Sequence, residues 1–229
     1  MILITTYYKS RNINRQSEID ICLKKNFENK YIKKIYLLNN EIFDLNHINI
    51  NYKNKIEQIV ICSDINYKLN YKDAIEFINN NLIHDICILA NSDIYFNDSL
   101  SKITNKNINN YFFALLRYDE DENGKIDIFR RYNEPRDDSQ DSWIFRAPLN
   151  INTNNLKFSF GTLGCDSIFA SLVYDTKINI SNPSYDIVSI HLHNSNHRTY
   201  NYDDRIHGKY CLLKPCFLNE YYEPTFMDY

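Results

Sequence analysis

The stretch His84-Asp-Ile-Cys-Ile-Leu-Ala-Asn-Ser-Asp-Ile-Tyr-Phe96 decides the fold of this chain. Residues 86–90 form an unbroken apolar run, which is typical of a strand that is covered on both faces within a parallel sheet. The run ends at Asn91-Ser92-Asp93, so a carboxylate follows the carboxyl end of a central strand, where open α/β sheets bind their ligands. Asp93 therefore either helps to hold a divalent cation through oxygen ligands or caps the next turn.

The segments before this run alternate between strand and helix patterns. We predict strands at residues 2–8, 34–38 and 56–62 and amphipathic helices at residues 17–27 and 70–82. Strands that alternate with helices in this way indicate a parallel sheet with right-handed crossovers, and therefore an α/β fold.

The second half of the chain has a less regular pattern. Its predicted elements are strands at residues 111–116, 142–146 and 188–193 and a helix that begins at Gly164. The charged segment 119–141 is predicted to be a loop, and the aromatic segment 202–229 is predicted to wrap irregularly around the body. Because there is no internal repeat and no linker rich in Pro, Gly or Ser, residues 1–229 are expected to form one domain.

The composition argues against several classes of function. A net charge of −3 provides no field that would attract nucleic acid, and the four glycines form no Gly-rich phosphate loop. The six cysteines include no C-x-x-C pair, which argues against a zinc ribbon and favours a reducing compartment. No apolar run approaches the ~20 residues that span a bilayer, so we expect a soluble, cytoplasmic protein.

Two histidines and two aspartates are candidates for chemistry. In a strand, His191 and His193 point to the same face, so they are either a pair of metal ligands or structural residues. Asp141 and Asp166 each lie in a polar and aromatic setting, where each is either a catalytic carboxylate or a cap of a turn or helix. The single tryptophan, Trp143, either stacks on a sugar or packs in the core.

An ordered set of short motifs resembles a known family. The motifs are Asn91-Ser-Asp-Ile-Tyr-Phe96, Arg117-Tyr-Asp119, Ser139-Gln-Asp-Ser-Trp-Ile-Phe145, Gly164-Cys-Asp-Ser167 and His191-Leu-His-Asn-Ser195. Together they resemble GT-A-type glycosyltransferases, and they are most similar to the small group found in large DNA viruses and some bacteria. The resemblance covers roughly residues 2–202, and Asn91 stands at the first position of the family's Asp-x-Asp metal motif.

The resemblance implies a fold and a separate binding function for each half of the chain. The fold is a GT-A (Rossmann-like) mixed, mostly parallel central sheet flanked by helices. It forms a single domain, with a nucleotide-binding half at about residues 1–100 and an acceptor-binding half at about residues 101–229. If the source is a virus, the protein acts in the host cytoplasm. The chain is either a whole transferase or one module of a longer polypeptide that carries other transferases.

The resemblance also implies site residues. Asp93 and one or both of His191 and His193 bind Mn²⁺ or Mg²⁺. Arg117 either contacts the donor or pairs with Asp119. The residues expected along the nucleotide-sugar donor, which we expect to be UDP-linked, are Thr5, Thr6, Tyr7, Asn39, Glu41, Asp64, Tyr71, Lys72, Asn91, Ser92 and Arg117.

The chemistry of sugar transfer defines the remaining roles. Negative charge builds on the departing diphosphate, and a hard cation neutralises it as a Lewis acid. An inverting enzyme also needs a carboxylate that takes the proton of the acceptor hydroxyl. Asp166 is the first candidate for this base and Asp141 is the second, which predicts a hexosyltransferase acting on a glycan or another hydroxyl acceptor.

Two alternatives remain at this stage. A nucleotidyltransferase would also use Asp93 and a cation, although such enzymes usually have a second carboxylate nearby and a Gly-rich loop. A non-catalytic carbohydrate- or nucleotide-binding module could keep the same fold, and Asn91 in the metal motif is compatible with it.

Overall fold

A computed structural model describes residues 1–48, 54–195 and 202–229 of the chain. The α-helices are α1 (Ile13–Glu28), α2 (Tyr71–Asn81), α3 (Asn105–Ile108) and α4 (Cys165–Tyr174). The strands are β1 (Ile2–Thr5), β2 (Lys34–Asn39), β3 (Ile56–Val60), β4 (Ile86–Ala90), β5 (Ile94–Phe96), β6 (Tyr111–Leu115), β7 (Arg117–Glu120), β8 (Ile126–Ile128), β9 (Arg130–Arg131), β10 (Glu134–Pro135), β11 (Ser142–Arg146), β12 (Asn179–Ser181), β13 (Ser189–His191), β14 (Lys209–Leu212) and β15 (Thr225–Asp228). Short 3₁₀ turns lie at Asn46–Ile48, Asp98–Lys102, Thr153–Asn155 and Tyr202–Asp204.

The central sheet has seven strands in the order β12-β6-β11-β4-β1-β2-β3. Strand β11 is antiparallel to β4 and to β6, and the other neighbouring strands of this sheet are parallel. The predicted α/β fold, with a mixed, mostly parallel central sheet flanked by helices, is therefore confirmed.

The sheet is buried on both faces, as the apolar run 86–90 predicts. Because side chains alternate along a strand, Cys87 and Leu89 join the core on one face, together with α2 and α4. Ile88 and Ala90 join the core on the other face, together with α1. Trp143 is fully buried in the first of these cores, edge-on to Tyr71 at 5.2 Å, so it packs in the core and does not stack on a sugar.

The strand order reverses at the carboxyl edge of the sheet. From β1 the chain passes through α1 to β2 on one side, whereas β4 lies on the other side of β1. Ligands of open α/β sheets bind in the crevice at such a reversal, so we expect the ligand crevice between the carboxyl ends of β1 and β4. The carboxyl end of β6 and the amino end of β11 lie at the same edge, since β11 runs in the opposite direction.

A second sheet stands over this edge, with the strand order β5-β13-β7-β8. A small apolar cluster that includes Cys22 of α1, Tyr95 of β5 and Ile190 of β13 joins it to α1. Asn26 of α1 extends the join, because its amide group donates to Ile94 O (2.8 Å) and accepts from Phe96 N (3.1 Å). The two sheets and α1 therefore form one continuous body.

Two segments differ from the sequence prediction. Segment 119–141, predicted to be a loop, contains β8, β9, β10 and part of β7. Its charges are compatible with strands because charged side chains of β7 form ion pairs, for example Glu120 with Lys25 at 3.1 Å. Segment 202–229, predicted to be irregular, contains the β14–β15 hairpin, in which Cys211 lies opposite Phe226.

No helix within residues 1–48, 54–195 and 202–229 combines the length and apolar character needed to cross a membrane.

Each of the six cysteines has a free thiol.

Gly164 should be a critical position for stability. It precedes α4 with a φ of 83°, and a Cβ added there would overlap the hydroxyl oxygen of the buried Tyr210. Gly161 is the matched control, since it has a similar φ of 74° but a Cβ added there would meet only open space. We expect Gly161→Ala to lower the free energy of unfolding by about 1–2 kcal/mol through its left-handed backbone. Gly164→Ala should lower it by a further ~1–3 kcal/mol through overpacking, as measured by urea unfolding. Equal losses in the two variants would contradict this.

Candidate active site

Asp93 lies in the turn between β4 and β5, and only 6% of its surface is exposed. Two backbone hydrogen bonds shape this turn. Ile94 N donates to Asn91 O (3.2 Å), and Leu192 N donates to Asp93 O (3.0 Å). The second bond continues the pairing of β5 with β13, and it therefore brings the histidines of the second half of the chain to Asp93.

Both predicted histidines face the Asp93 carboxylate. The Nε2 atom of His191 lies 3.1 Å from Asp93 Oδ2, and its Nδ1 atom lies 2.9 Å from Asp119 Oδ1. The Nδ1 atom of His193 lies 3.7 Å from the same Asp93 oxygen. One candidate ligand atom from each of the three residues lies within 4.8 Å of the others. Among the described residues, the Nε2 atom of His193 is buried without a hydrogen-bond partner.

Helix α1 contributes two charged residues that the sequence analysis missed. Arg15 Nη2 donates to Asp93 Oδ2 (2.6 Å), and Arg15 Nη1 contacts both His193 Nδ1 (3.2 Å) and Glu18 Oε2 (3.1 Å). Glu18 in turn accepts hydrogen bonds from the backbone and the hydroxyl of Ser195, at 2.7 and 3.0 Å. The sequence did contain a sign that these two residues are buried. Arg15 and Glu18 occupy the helical face that also carries the buried residues Ile19, Cys22 and Leu23.

A further chain of polar contacts leads from His191 to the central sheet. Arg117 Nε donates to Asp119 Oδ1 (2.8 Å), so the predicted ion pair of these two residues is present. Arg117 Nη1 also donates to Asp141 Oδ2 (2.9 Å), and Asn91 Nδ2 donates to Asp141 Oδ1 (3.0 Å). The network thus connects α1, both sheets and the turn that carries Asp93.

These contacts set the ionisation of the site. Burial by itself would raise the pKa of Asp93, but the charge on His191, hydrogen bonds from both histidines and the charge on Arg15 hold that pKa well below its usual range. Burial by itself would lower the pKa of His191, but Asp93 and Asp119 raise it to about 9. The pKa of Asp119 is lowered, against the effect of burial, by His191 and Arg117.

The arrangement fits a divalent cation. One carboxylate and two imidazoles offer mixed oxygen and nitrogen ligands, and Asp119 orients His191 in the way that outer carboxylates orient metal-binding histidines. The unpartnered Nε2 atom of His193 is consistent with a missing partner. His191, whose pKa is raised to about 9, would release its proton when a cation binds, because metal ligands must be deprotonated.

Asp166 and Asp141 lie next to each other in the network but differ as bases. Asp166 is in the first turn of α4, where its Oδ2 accepts a hydrogen bond from Gln140 N (2.9 Å). Burial, together with the charge on Asp141, raises the pKa of Asp166 to about 6. Both oxygens of Asp141 are engaged, by Arg117 and Asn91. Asp166 is therefore the more suitable proton acceptor, since a base with a pKa near the working pH is the most effective.

The residues expected along the base and ribose surround the ends of β1 and β2. Asn39 is buried, and its Oδ1 accepts hydrogen bonds from Tyr7 N (2.8 Å) and Thr6 Oγ1 (3.5 Å). Tyr7 is also buried and donates its hydroxyl to Asp20 (2.7 Å). These two residues tie β1 to β2. Thr5 Oγ1 is buried without a hydrogen-bond partner among the described residues.

The other residues predicted to bind the nucleotide-sugar donor do not lie together in one place. Tyr71 is a correction: it is fully buried and stacked on Phe160 at 4.2 Å, because the amphipathic pattern of α2 directs it into the core, so its side chain cannot reach a nucleotide in the crevice. Glu41 and Asp64 are exposed, and Ser92 is half-buried. Lys72 lies 3.8 Å from Glu76.

Comparisons with known proteins find similar solved structures at low sequence identity only. No family model matches the chain, and no curated protein matches it. The chain is similar to 4-diphosphocytidyl-2C-methyl-D-erythritol synthase from Anaerococcus prevotii DSM 20548, with 12% identity over 89% of this chain and 93% of that chain and a TM-score of 0.45. It is also similar to S. aureus TarS 1-349, with 15% identity over 86% of this chain and 58% of that chain and a TM-score of 0.44. A longer S. aureus TarS structure gives 14% identity, 88% and 37% coverage and a TM-score of 0.43. The roles of the site residues therefore rest on their side-chain geometry.

Replacing the two neighbouring aspartates should change stability in opposite directions. The folded state raises the pKa of Asp166 to about 6, whereas an unfolded Asp has a pKa of ~3.9. The folded state therefore binds more protons between these values, and the ionised Asp166 lowers stability above pH 6. We expect Asp166→Asn to raise the melting temperature at pH 7.5, with an advantage that fades as the pH falls through 6.

Asp141→Asn is the matched control. It removes the carboxylate that Arg117 contacts at 2.9 Å, so it should lower the free energy of unfolding by about 1–3 kcal/mol at the same pH. Thermal melts of both variants across the pH range measure the effects. Destabilisation by Asp166→Asn at pH 7.5 would contradict the assignment of a raised pKa.

Proposed function

We propose that this chain is a metal-dependent glycosyltransferase that moves a sugar from a nucleotide-sugar donor, UDP-linked, to a glycan or another hydroxyl acceptor. The proposal includes membership of the group found in large DNA viruses and some bacteria. The observation that carries it is the group of Asp93, His191 and His193 at the carboxyl edge of the sheet, where the strand order reverses between β1 and β4. An acidic and imidazole-rich group at this position suits the transfer of a sugar from a diphosphate.

Asp93, His191 and His193 would hold the cation. One carboxylate and two imidazoles suit Mn²⁺ better than Mg²⁺, because Mg²⁺ prefers an octahedral shell of oxygen ligands. When bound, the cation would neutralise the negative charge that develops on the departing diphosphate. Asp119 keeps the Nδ1 atom of His191 engaged at 2.9 Å, which leaves its Nε2 atom directed at the site.

The remaining residues would bind and orient the donor. We assign Thr5, Thr6 and the side chains of Asn91 and Ser92 to the nucleoside and ribose, since they lie at the ends of β1 and β4. Asp64, Lys72 and Glu41 are assigned to the outer rim of the crevice. Arg117 holds Asp119 and Asp141 in place, and it would also contribute its positive charge to donor binding.

Asp166 would act as the base of an inverting reaction. It would take the proton of the acceptor hydroxyl, and its raised pKa of about 6 leaves it ionised yet basic at neutral pH. Asp141, which pairs with Arg117, would keep the pKa of Asp166 high through its charge.

Metal-dependent donor binding tests the site. Asp93 is a poor choice for this test because its loss would break the buried ion pair with Arg15 and leave that guanidinium with Glu18 alone, at a cost of about 3–5 kcal/mol. His193→Asn is the better variant. We expect UDP with Mn²⁺, at ~100 times the dissociation constant, to raise the melting temperature of the wild type by about 5–10 °C.

His193→Asn should lose most of this rise. His84→Asn is the matched control, because His84 precedes the amino end of β4 and is exposed, so its variant should keep the full response. If no nucleoside diphosphate stabilises the wild type in the presence of a divalent cation, the proposed function is wrong.

Turnover and product identity test the reaction. Incubation with a UDP-sugar, a hydroxyl acceptor and Mn²⁺ should release UDP. A parallel incubation with UTP, a sugar 1-phosphate and Mn²⁺ would release pyrophosphate if the chain transferred nucleotides, and a non-catalytic module would release neither product. Asp166→Asn should slow UDP release by about 10²–10⁴-fold, which is the usual contribution of a positioned base. UDP with Mn²⁺ should raise the melting temperature of Asp166→Asn by as much as that of the wild type. Pyrophosphate as the product, or full activity of Asp166→Asn, would contradict the assignment.

A further inference from the structure

A cavity of about 290 Å³ lies between two hairpins of the second half of the chain. One wall is the β9–β10 hairpin, which contributes Arg131 and Glu134. The other wall is the β14–β15 hairpin with the residue that follows it, which contributes Leu212, Met227 and Tyr229. The segment 135–138 closes the cavity between these walls.

The lining of the cavity is connected to the candidate base through a short run of backbone, although Asp166 itself does not line the cavity. Its lining residue Asp137 accepts a hydrogen bond from Leu213 N (2.8 Å), and Asp138 O accepts one from Ser167 Oγ (3.3 Å). Two residues further along the chain, Gln140 N donates to Asp166 Oδ2 (2.9 Å). The strip of chain from Asp137 to Gln140 therefore runs from the cavity to Asp166, and Ser167 anchors it next to that carboxylate.

The polar wall offers hydrogen-bond donors and acceptors at fixed positions. Arg136 and Asp138 form a forked pair, with Nε–Oδ1 and Nη2–Oδ2 distances of 2.7 and 2.9 Å. Arg131 approaches the same carboxylate at 3.6 Å. Guanidinium groups carry five N–H donors and a carboxylate has about four acceptor positions, so the pair retains capacity for a ligand. Adjacent hydroxyl groups, each of which donates and accepts, match this surface.

The opposite wall is apolar. The ring of Tyr229 is half exposed, and it is held by the ring of Tyr210 at 4.7 Å and by the guanidinium of Arg205 at 4.8 Å. Leu212 and Met227 line the same side. A polar wall that faces an apolar, aromatic wall fits a sugar ring, which has a rim of hydroxyl groups and apolar C–H faces.

The charges and the size of the cavity restrict the ligand further. Its lining contains the cationic residues Arg131 and Arg136 and the acidic residues Glu134, Asp137 and Asp138. This balance has no positive excess, which disfavours a phosphorylated or acidic sugar. A volume of about 290 Å³ is at the small end of the range for ligand pockets, so one sugar residue fits and the rest of a glycan would extend into solvent.

We propose that this cavity, formed by the Arg136–Asp138 pair and Tyr229, is the acceptor subsite and binds a neutral sugar of the acceptor glycan. The assignment of the bound sugar as an acceptor rests on the function proposed above. The cavity itself lies outside the Asp93 network and requires neither a cation nor a nucleotide to bind its ligand.

Binding is tested by nuclear magnetic resonance titration with methyl glycosides of glucose, galactose and N-acetylglucosamine, without donor or cation. At least one of them should shift the amide signals of Arg136, Asp138 and Tyr229. Tyr229→Ala should weaken this binding about tenfold. Its backbone bonds with Gly208 do not involve the ring, so the variant keeps the fold. Tyr222→Ala is the matched control, because Tyr222 is equally exposed but lies outside the cavity lining, and it should bind like the wild type.

The role as acceptor is tested with the same glycoside in the UDP-release assay. Tyr229→Ala should raise the KM for that glycoside about tenfold and leave the KM for the UDP-sugar unchanged. The proposal is overturned if no glycoside shifts these signals, if glucose 1-phosphate binds the cavity more tightly than the neutral glycosides, or if Tyr222→Ala has the same effect as Tyr229→Ala. A failure of the thermal shift with UDP and Mn²⁺ would instead contradict the proposed function, and the glycoside titration would still report on the cavity.

Discussion

The structure depends on the buried carboxylate of Asp93 and on the groups that surround it. A lone carboxylate that is 6% exposed would be strongly disfavoured. It is tolerated because Arg15 reaches it from α1 at 2.6 Å and His191 reaches it from the second sheet at 3.1 Å. These contacts force three separate elements to meet at the carboxyl edge of the central sheet. The same convergence creates the group that can bind a cation, so the position of the site and the packing of these elements have one physical origin.

The polar network extends this convergence across the edge of the sheet. From Asp93 it passes through His191, Asp119 and Arg117 to Asp141, which lies directly before β11. Asp141 then raises the pKa of its neighbour Asp166 through its charge. A group that can hold a cation is thereby connected to a carboxylate that is a good proton acceptor. Pairs of titratable groups with pKa values driven in opposite directions are a common feature of active sites.

Local patterns predicted much of the central sheet. The strand at residues 86–90 was predicted with the bounds that the structure has, because polar residues on both sides of the apolar run mark where the strand begins and ends. The predicted loop at 119–141 was wrong, since the strands of this segment have only two to four residues each, which is too short for an apolar pattern to stand out among the charges. Tyr71 was assigned to the donor because it begins a helix, but its orientation depends on packing against Phe160 and Trp143. Asn196 and His197, which follow the His191 motif, lie outside the described residues.

The sequence by itself determined the α/β class, the strand that precedes the Asp93 turn and the shared direction of His191 and His193, because each follows from the spacing of residues close together in the chain. Only the tertiary structure decided that Arg15 and Glu18 join this site, that Asp119 orients His191, and that Asp166 has a more suitable environment for a base than Asp141. Those facts depend on which distant segments meet and on how deeply each charge is buried. Neither quantity is encoded in local periodicity, since both arise only when the elements pack together.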